Sequence, residues 1–266
     1  MKGVVLAGGH GTRLLPMTRV TNKHLLPVYD RPMVYYPLEA LAQSGIEEVM
    51  VVTGGNSAGA FVELLGNGRE FGLKELAYGY QDGAGGIAAA LALAEDFADG
   101  GPVAVFLGDN LTEGRIDGLV KEYEAQLERT RGRGARIVLA ETEEARRFGV
   151  ARFEGGGLRE GRGRLAEIVE KPAEPPSRFA VIGLYFYDAR VFDIIRTLKP
   201  SGRGELEITD VNNAYLRAGE REYSVLQGWW TDAGTVESLY RATRLVAERG
   251  ANGRGPGQAG GGQRGA

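Results

Sequence analysis

The stretch Val4-Val5-Leu6-Ala7-Gly8-Gly9-His10-Gly11-Thr12-Arg13 decides how the rest of the chain is read. Its first four residues are a short apolar run that enters two glycines with no polar spacer, so buried backbone is delivered into a loop that side chains barely shield. Such a loop offers bare N–H groups to an anion. Arg13, a few residues on, brings fixed positive charge to the same place.

Outward from this stretch, strand-like runs recur at Val49 to Thr53, Ala77 to Tyr80 and Val103 to Leu107. Between them lie helical patterns at Pro32 to Ser44, Ala58 to Leu65 and Ile87 to Phe97. This is βαβ spacing and predicts a parallel sheet with right-handed crossovers. Later runs at Ile137 to Ala140, Gly149 to Phe153, Leu165 to Val169 and Val181 to Tyr187 have shorter links, which predict antiparallel additions. A terminal helix from Val236 to Glu248 carries an apolar stripe of Leu239, Leu245 and Val246.

In sheets of this kind ligands bind beyond the carboxyl ends of the strands. Those positions are Gly8 to Arg13, Thr53-Gly54, Gln81 and Asp109-Asn110. The first loop is no dinucleotide fingerprint, because Leu14 stands where a third glycine is expected, and no Gly-Lys-Ser/Thr closes it as a P-loop. Pro16 also interferes with an immediate helix. Arg13 and Lys23 instead place fixed charge against a triphosphate while the glycine backbone approaches closely.

Composition bounds the remaining choices. At 266 residues and 28.5 kDa, with 43% hydrophobic content, the chain can bury one substantial core. Zero cysteines exclude disulfides, thiolate zinc sites and a cysteine nucleophile. The start shows no signal-type apolar segment and no 18-residue apolar run follows, an expectation of a soluble, cytoplasmic chain with no membrane contact. A formal net charge of −3 gives no general attraction to nucleic acid, so any anion is recognised locally. From Gly250 to Ala266 there are 8 glycines in 17 residues and no large aliphatic residue, which predicts a disordered tail. The domain reading is one unit over 1–248 with the tail at 249–266. Glycine- and arginine-rich segments at Arg131 to Arg136 and Glu154 to Arg164 read as surface loops.

Gly8 to Pro16, followed by Asn22-Lys23-His24-Leu25-Leu26-Pro27, resembles the signature of the sugar nucleotidyltransferases. Further matches, in order, are Leu107-Gly-Asp-Asn110, Glu170-Lys-Pro172, Gly183-Leu-Tyr-Phe-Tyr-Asp188, the run Arg203-Gly-Glu-Leu-Glu-Ile-Thr-Asp-Val-Asn212 and Trp229-Trp-Thr-Asp-Ala-Gly-Thr235. The resemblance spans roughly Met1 to Glu248. Within the superfamily it is nearest the glucose-1-phosphate thymidylyltransferases. The Lys-His-Leu-Leu-Pro form, the stretch Ala84-Gly-Gly-Ile-Ala88 and the early C-terminus are similar to the short members, including those linked to spore-coat polysaccharide. The fold the resemblance implies is α/β and Rossmann-like: a mixed, mostly parallel central sheet flanked by helices, with a small antiparallel β addition.

The implied reaction is Mg²⁺-dependent transfer of a nucleotidyl group from dTTP to glucose 1-phosphate, giving dTDP-glucose and pyrophosphate. UTP or another hexose 1-phosphate stays open, as does a non-catalytic nucleotide-sugar-binding protein of the same fold. Such chemistry asks for position and charge rather than a nucleophile, because two anions must be brought together. By resemblance, Asp109 and Asp232 are Mg²⁺ ligands, and Arg13 and Lys23 are catalytic cations. Leu6, Gly8, Gly9, Gly11, Thr12, Arg13, Gln81 and Gly86 hold the nucleotide. Lys23, Gly149, Glu170, Lys171, Val181, Tyr185 and Arg203 hold the sugar phosphate. The partners are small molecules, with no nucleic acid and no membrane, and a homo-oligomer is left open.

Ala89 stands where the longer members carry a glutamine, and an alanine side chain cannot hydrogen-bond a base. Thymine and uracil differ by one methyl, worth only about 1 to 3 kcal/mol in a hydrophobic pocket. His10 and His24 are read as contact or packing residues, since a phosphate nucleophile is already ionised. Tyr35-Tyr36 and Trp229-Trp230 are read as core or pocket wall.

Overall fold

β1 (Lys2–Ala7) is buried on both faces: Val4 and Leu6 point to one side, Val5 and Ala7 to the other. A strand apolar on both sides belongs inside a parallel sheet covered by helices on each face, and the computed structural model has that architecture. It describes residues 1–156 and 163–253. In chain order the elements after β1 are β2 (Pro27–Val28), β3 (Arg31–Pro32), α1 (Tyr35–Gln43), β4 (Glu48–Gly54), α2 (Ala58–Leu65) and β5 (Glu75–Gln81). Then come α3 (Ile87–Ala92), α4 (Glu95–Ala98), β6 (Val103–Leu107), β7 (Asn110–Thr112), α5 (Asp117–Thr130), β8 (Ala135–Glu141) and β9 (Gly149–Phe153). The rest are β10 (Leu165–Glu170), β11 (Phe179–Tyr187), α6 (Val191–Thr197), α7 (Ile208–Arg217), β12 (Arg221–Val225), β13 (Trp230–Asp232) and α8 (Val236–Gly253).

Nine strands form one mixed sheet in the order β10-β9-β11-β6-β1-β4-β5, with β8 branching from β11 and β12 pairing in parallel with β8. β6, β1, β4 and β5 are parallel to one another, whereas β11 runs antiparallel to β6, β8 and β9. The early βαβ spacing thus makes the parallel half, and the shorter later links make the antiparallel half. β7 and β13 form a separate two-stranded antiparallel pair.

Two cores sandwich the sheet. On one face Val4, Leu6 and Val105 meet Leu91 of α3, Val191 and Ile195 of α6, and the stripe Ile208, Val211 and Tyr215 of α7. On the other, Val5 and Phe106 meet Leu38 and Leu41 of α1, Phe61 of α2, and Val120 and Tyr123 of α5. A third cluster, Val28, Met33, Leu111, Ala233 and Ala242, fixes α8 over β2 and β13.

Two helical patterns are shorter than the periodicity predicts. α1 begins at Tyr35 because the Met33 and Val34 N–H groups donate to the Leu26 and His24 carbonyls, tying this segment to the loop after β1. Ile87 to Phe97 divides into α3 and α4, since Leu93 and Ala94 bond three residues back and tighten the chain by a 3₁₀ turn. α8 continues to Gly253, beyond the sequence expectation; residues 254–266, most of the glycine-rich tail, and 157–162 within the Glu154–Arg164 segment lie outside the described residues. Among the described residues, no helix is long and apolar enough to cross a membrane.

Candidate active site

The carboxyl ends of β1, β5 and β6 open into a cleft of about 670 Å³. The residues given a nucleotide, sugar-phosphate or metal role from the sequence line it, from Leu6 at the end of β1 to Asp232 on β13, whereas Thr53 and Gly54 at the end of β4 do not.

The phosphate-loop candidate is shaped by Gly11, whose φ of 64° is left-handed and whose hypothetical Cβ would lie 2.9 Å from Lys23 Cβ. A single 3₁₀ turn, Thr12–Leu14, follows, anchored by fully buried Leu14 and leaving Arg13 exposed to the cleft. Thr18 Oγ1 donates to the Gly11 carbonyl at 2.8 Å and closes the loop.

Lys23 is aimed by its neighbours. Asn22 Nδ2 donates to the Ala7 carbonyl at 3.1 Å, while its Oδ1 accepts from His24 N at 2.9 Å and His24 Nδ1 at 2.7 Å. This clamp pins the segment to the end of β1 and turns Lys23 Nζ onto Asp109 Oδ2. His24 is enclosed, and burial followed by the Lys23 charge pushes its pKa down to about 3. The ring is therefore neutral and structural at neutral pH, as a packing role requires.

Asp109 and Asp232 come from segments that are knitted together. Asn110 pairs with Asp232 across β7 and β13, and Ala233 N donates to the Asp109 carbonyl at 2.7 Å. Asn110 Nδ2 donates to Asp109 Oδ1 at 2.9 Å; its own Oδ1 accepts from Gly183 N at 2.9 Å and Trp230 Nε1 at 2.7 Å. Both carboxylates converge over Gly234, where a Cβ would lie 3.1 Å from Asp232 Oδ2, 3.6 Å from Asp109 Oδ2 and 3.1 Å from an Arg13 guanidinium nitrogen. Only a residue without a side chain leaves this space open.

Burial and the neighbouring Asp109 raise the Asp232 carboxyl above its usual range. Burial, the largest single influence, would raise Asp109 as well, but the Lys23 charge and hydrogen bond, with the Asn110 hydrogen bond and His24 beside them, together hold that carboxyl well below its usual range. Two converging carboxylates are a hard oxygen donor set, and among the described residues no third His, Cys, Asp or Glu joins them. That suits a cation such as Mg²⁺, which takes one or two carboxylates and fills its other positions with water and phosphate oxygens.

One wall of the cleft holds Gln81, whose Nε2 donates to the Gly86 carbonyl at 3.2 Å and whose Oε1 faces Gly8. Ile87 and Ala90 line this wall, and Ala89 does not. The opposite wall carries Glu170: Oε2 accepts from Thr209 Oγ1 at 2.6 Å, and Oε1 pairs with Lys171 at 3.2 Å and Arg203 at 3.3 Å. Arg203 is also held by Glu207 at 2.8 Å. Lys171 has a φ of 42°, a left-handed conformation that a residue with a Cβ rarely adopts and that concentrates at functional positions. Gly149, Val181 and Tyr185 line the same wall. The walls are joined by backbone, Leu206 N to Gly85 O at 2.9 Å and Ala88 N to Leu206 O at 3.2 Å. At their junction Gly86 has φ 90°, with a hypothetical Cβ 2.6 Å from Leu206 O.

Sequence reasoning gave no role to Arg147, Thr209 or Glu207, all of which line the cleft. Trp230 is cleft wall and Trp229 packs on the third cluster, as core-or-wall predicts.

A mixed sheet whose strand ends carry a glycine loop, paired carboxylates and two banks of cations defines an enzyme that joins phosphorylated substrates. The nucleotidyl transferase family model matches residues 2–249, and the chain belongs to that family. It is 42% identical over 249 residues to a glucose-1-phosphate thymidylyltransferase of Actinoplanes sp., covering 92% of this chain and 78% of that one. The enzyme of the same name from Neisseria gonorrhoeae is also 42% identical, over 92% and 82% of the two chains. Among solved structures, a candidate glucose-1-phosphate thymidylyltransferase from Bacillus anthracis, in complex with sucrose, superposes with TM-score 0.84 at 46% identity, over 97% and 98% of the chains. A UDP-glucose pyrophosphorylase in complex with UDP-glucose superposes with TM-score 0.76 at 26% identity, over 93% and 98%.

Proposed function

We propose that this nucleotidyltransferase condenses dTTP with glucose 1-phosphate, giving dTDP-glucose and pyrophosphate. The observation that carries the reading is the convergence of Asp109, Asp232 and Arg13 over Gly234, with Lys23 beside them and Lys171 and Arg203 on the facing wall. Such a cleft neutralises two anions from opposite sides of one reacting centre.

A phosphate oxygen of the sugar 1-phosphate attacks the α-phosphorus in line; the new P–O bond forms as the bond to the leaving pyrophosphate breaks. No proton has to be removed from the nucleophile, which is already ionised, and His24 keeps its structural bond to Asn22. The loop Gly8 to Gly11 receives the triphosphate against backbone N–H groups. Arg13 stabilises charge on the departing pyrophosphate, and Lys23 lies along the line of attack. Lys171 and Arg203 hold the sugar phosphate, with Glu170, itself oriented by Thr209, accepting from sugar hydroxyls. Mg²⁺ held by Asp109 and Asp232 would supply Lewis-acid charge stabilisation at the phosphates. Gln81 hydrogen-bonds the pyrimidine.

The test is pyrophosphate release from purified protein with Mg²⁺ over a grid of dTTP, UTP, CTP, GTP and ATP against glucose, galactose and mannose 1-phosphates. A maximum at dTTP with glucose 1-phosphate is expected. A maximum at UTP would move the substrate toward that of the pyrophosphorylase neighbour, and no release from folded protein would overturn the catalytic reading.

A further inference from the structure

Each inward oxygen of the carboxylate pair is already occupied by a side-chain cation. Lys23 holds Asp109 Oδ2, and Arg147 holds Asp232 Oδ2 at 2.8 Å. These oxygens are also the ones that converge over Gly234. A divalent ion that draws on both cannot enter while both pairs persist, so the two cations and the metal compete for one place.

Arg147 differs from Lys23 in how it is tethered. It ends a 3₁₀ turn, Ala145–Arg147, and its second guanidinium nitrogen is held by Glu144 Oε2. The other Glu144 oxygen is held by Arg241 of α8, so the anchor is fixed from a separate element. The guanidinium also lies 5.2 Å from the centre of the Phe148 ring, which meets Trp230 edge-on at 4.9 Å. When Asp232 is taken by a metal, Arg147 loses one partner and keeps the other. It stays on the cleft wall with free N–H groups, beside the place where phosphates must lie.

We propose that Arg147 is a catalytic cation that alternates between two anions: it neutralises Asp232 before metal binds and, once displaced, contacts phosphate oxygens while Glu144 and Arg241 keep it in the cleft. This rests on the reading of the site as one that handles phosphates and a divalent ion. The chemistry suits Arg rather than Lys, because a planar fork can keep one arm on Glu144 and offer the other to an oxyanion.

The test uses the whole chain and no nucleotide in its first arm. Mn²⁺ is titrated into the protein and free Mn²⁺ is read by electron paramagnetic resonance. Arg147→Gln is expected to bind Mn²⁺ about five-fold more tightly than wild type, the loss of a partly buried competing pair. Glu144→Gln is expected to bind it more weakly, because Arg147 then leans on Asp232 alone. In the second arm, calorimetry of inorganic pyrophosphate binding with Mg²⁺ present is expected to show a loss of roughly ten-fold or more in Arg147→Gln, partly restored in Arg147→Lys.

A purely structural Arg147 would weaken Mn²⁺ binding in both variants, and that result, or unchanged pyrophosphate affinity, would overturn the proposal. If Arg147→Gln does not fold, Arg147→Met with Glu144→Gln still gives opposed shifts in Mn²⁺ affinity under the proposal and a common weakening without it. Failure of the substrate grid with these shifts intact would indict the assigned reaction and leave the role of Arg147 standing.

Discussion

At the residue scale, Gly234 keeps open the space where the charged side chains meet. A methyl group there would sit 3.1 Å from both an Arg13 nitrogen and Asp232 Oδ2, inside the space where charge must be neutralised. Gly234→Ala is expected to lower kcat by about 10²-fold, the scale of losing one preorganised electrostatic contact, with little change in thermal midpoint. Steady-state kinetics beside a melting curve would check this, and a midpoint loss large enough to explain the fall would refute it. His24 gives a prediction about stability. Its pKa falls from 6.5 to about 3 on folding, so between these values the unfolded chain binds the additional proton. Folding stability contributed by the neutral ring is therefore complete above about pH 6.5 and is lost as pH drops toward 3, by up to about 1.4 kcal/mol per unit for one proton. In urea titrations from pH 4 to 7, His24→Gln should show a flatter dependence than wild type.

At the element scale, α8 supports the site from behind. It seats Ala242 against Val28, Met33, Leu111 and Ala233, and so braces β13, which carries Asp232. The helix starts with a reciprocal cap: Thr235 N donates to Ser238 Oγ at 3.0 Å, and Ser238 N to Thr235 Oγ1 at 3.2 Å. Thr235→Ala should cost about 1 kcal/mol, read as a lower urea midpoint at unchanged slope.

Legibility from sequence divides at this scale. Strands buried on both faces were readable because their apolar runs are continuous, as at Val103 to Leu107. β7 and β13 are three residues each and exist only because Asn110 and Asp232 meet across the chain, a juxtaposition no local window contains. Ile87 to Phe97 kept helical periodicity through its break, because a 3₁₀ turn preserves which residues face inward. The same holds for side chains. Lys23 and Asp109 stood in recognisable runs, but Arg147 is one arginine among many, and its partner Asp232 lies 85 residues away. Nothing in a short stretch marks it as part of a cleft.

At the scale of the whole molecule, charge acts by placement. The chain carries a formal net charge of −3, and in the cleft the cations Arg13, Lys23, Arg147, Lys171 and Arg203 stand among as many carboxylates, Asp109, Glu170, Glu205, Glu207 and Asp232, so an anion is drawn by particular side chains and not by a net positive field. Attraction of a triphosphate is therefore local and subject to screening, with a Debye length of about 10 Å at 0.1 M salt. Raising potassium chloride from 0.05 to 0.5 M should raise KM for the nucleotide several-fold and change kcat less, because groups inside the closed contact are screened far less than those that draw the ligand in. Equal changes in both would place the charge effect in the chemical step.

The backbone hydrogen bonds that join Gly85 and Ala88 to Leu206 have a consequence for how such an enzyme diversifies. The wall that carries Gln81 and the wall that carries Glu170 share one seam of main chain, closed by a glycine that no other residue replaces without strain. Substitutions on the two sides should therefore show epistasis: a variant selected for a new hexose inherits an altered preference among nucleotides, and the two specificities evolve as one trait.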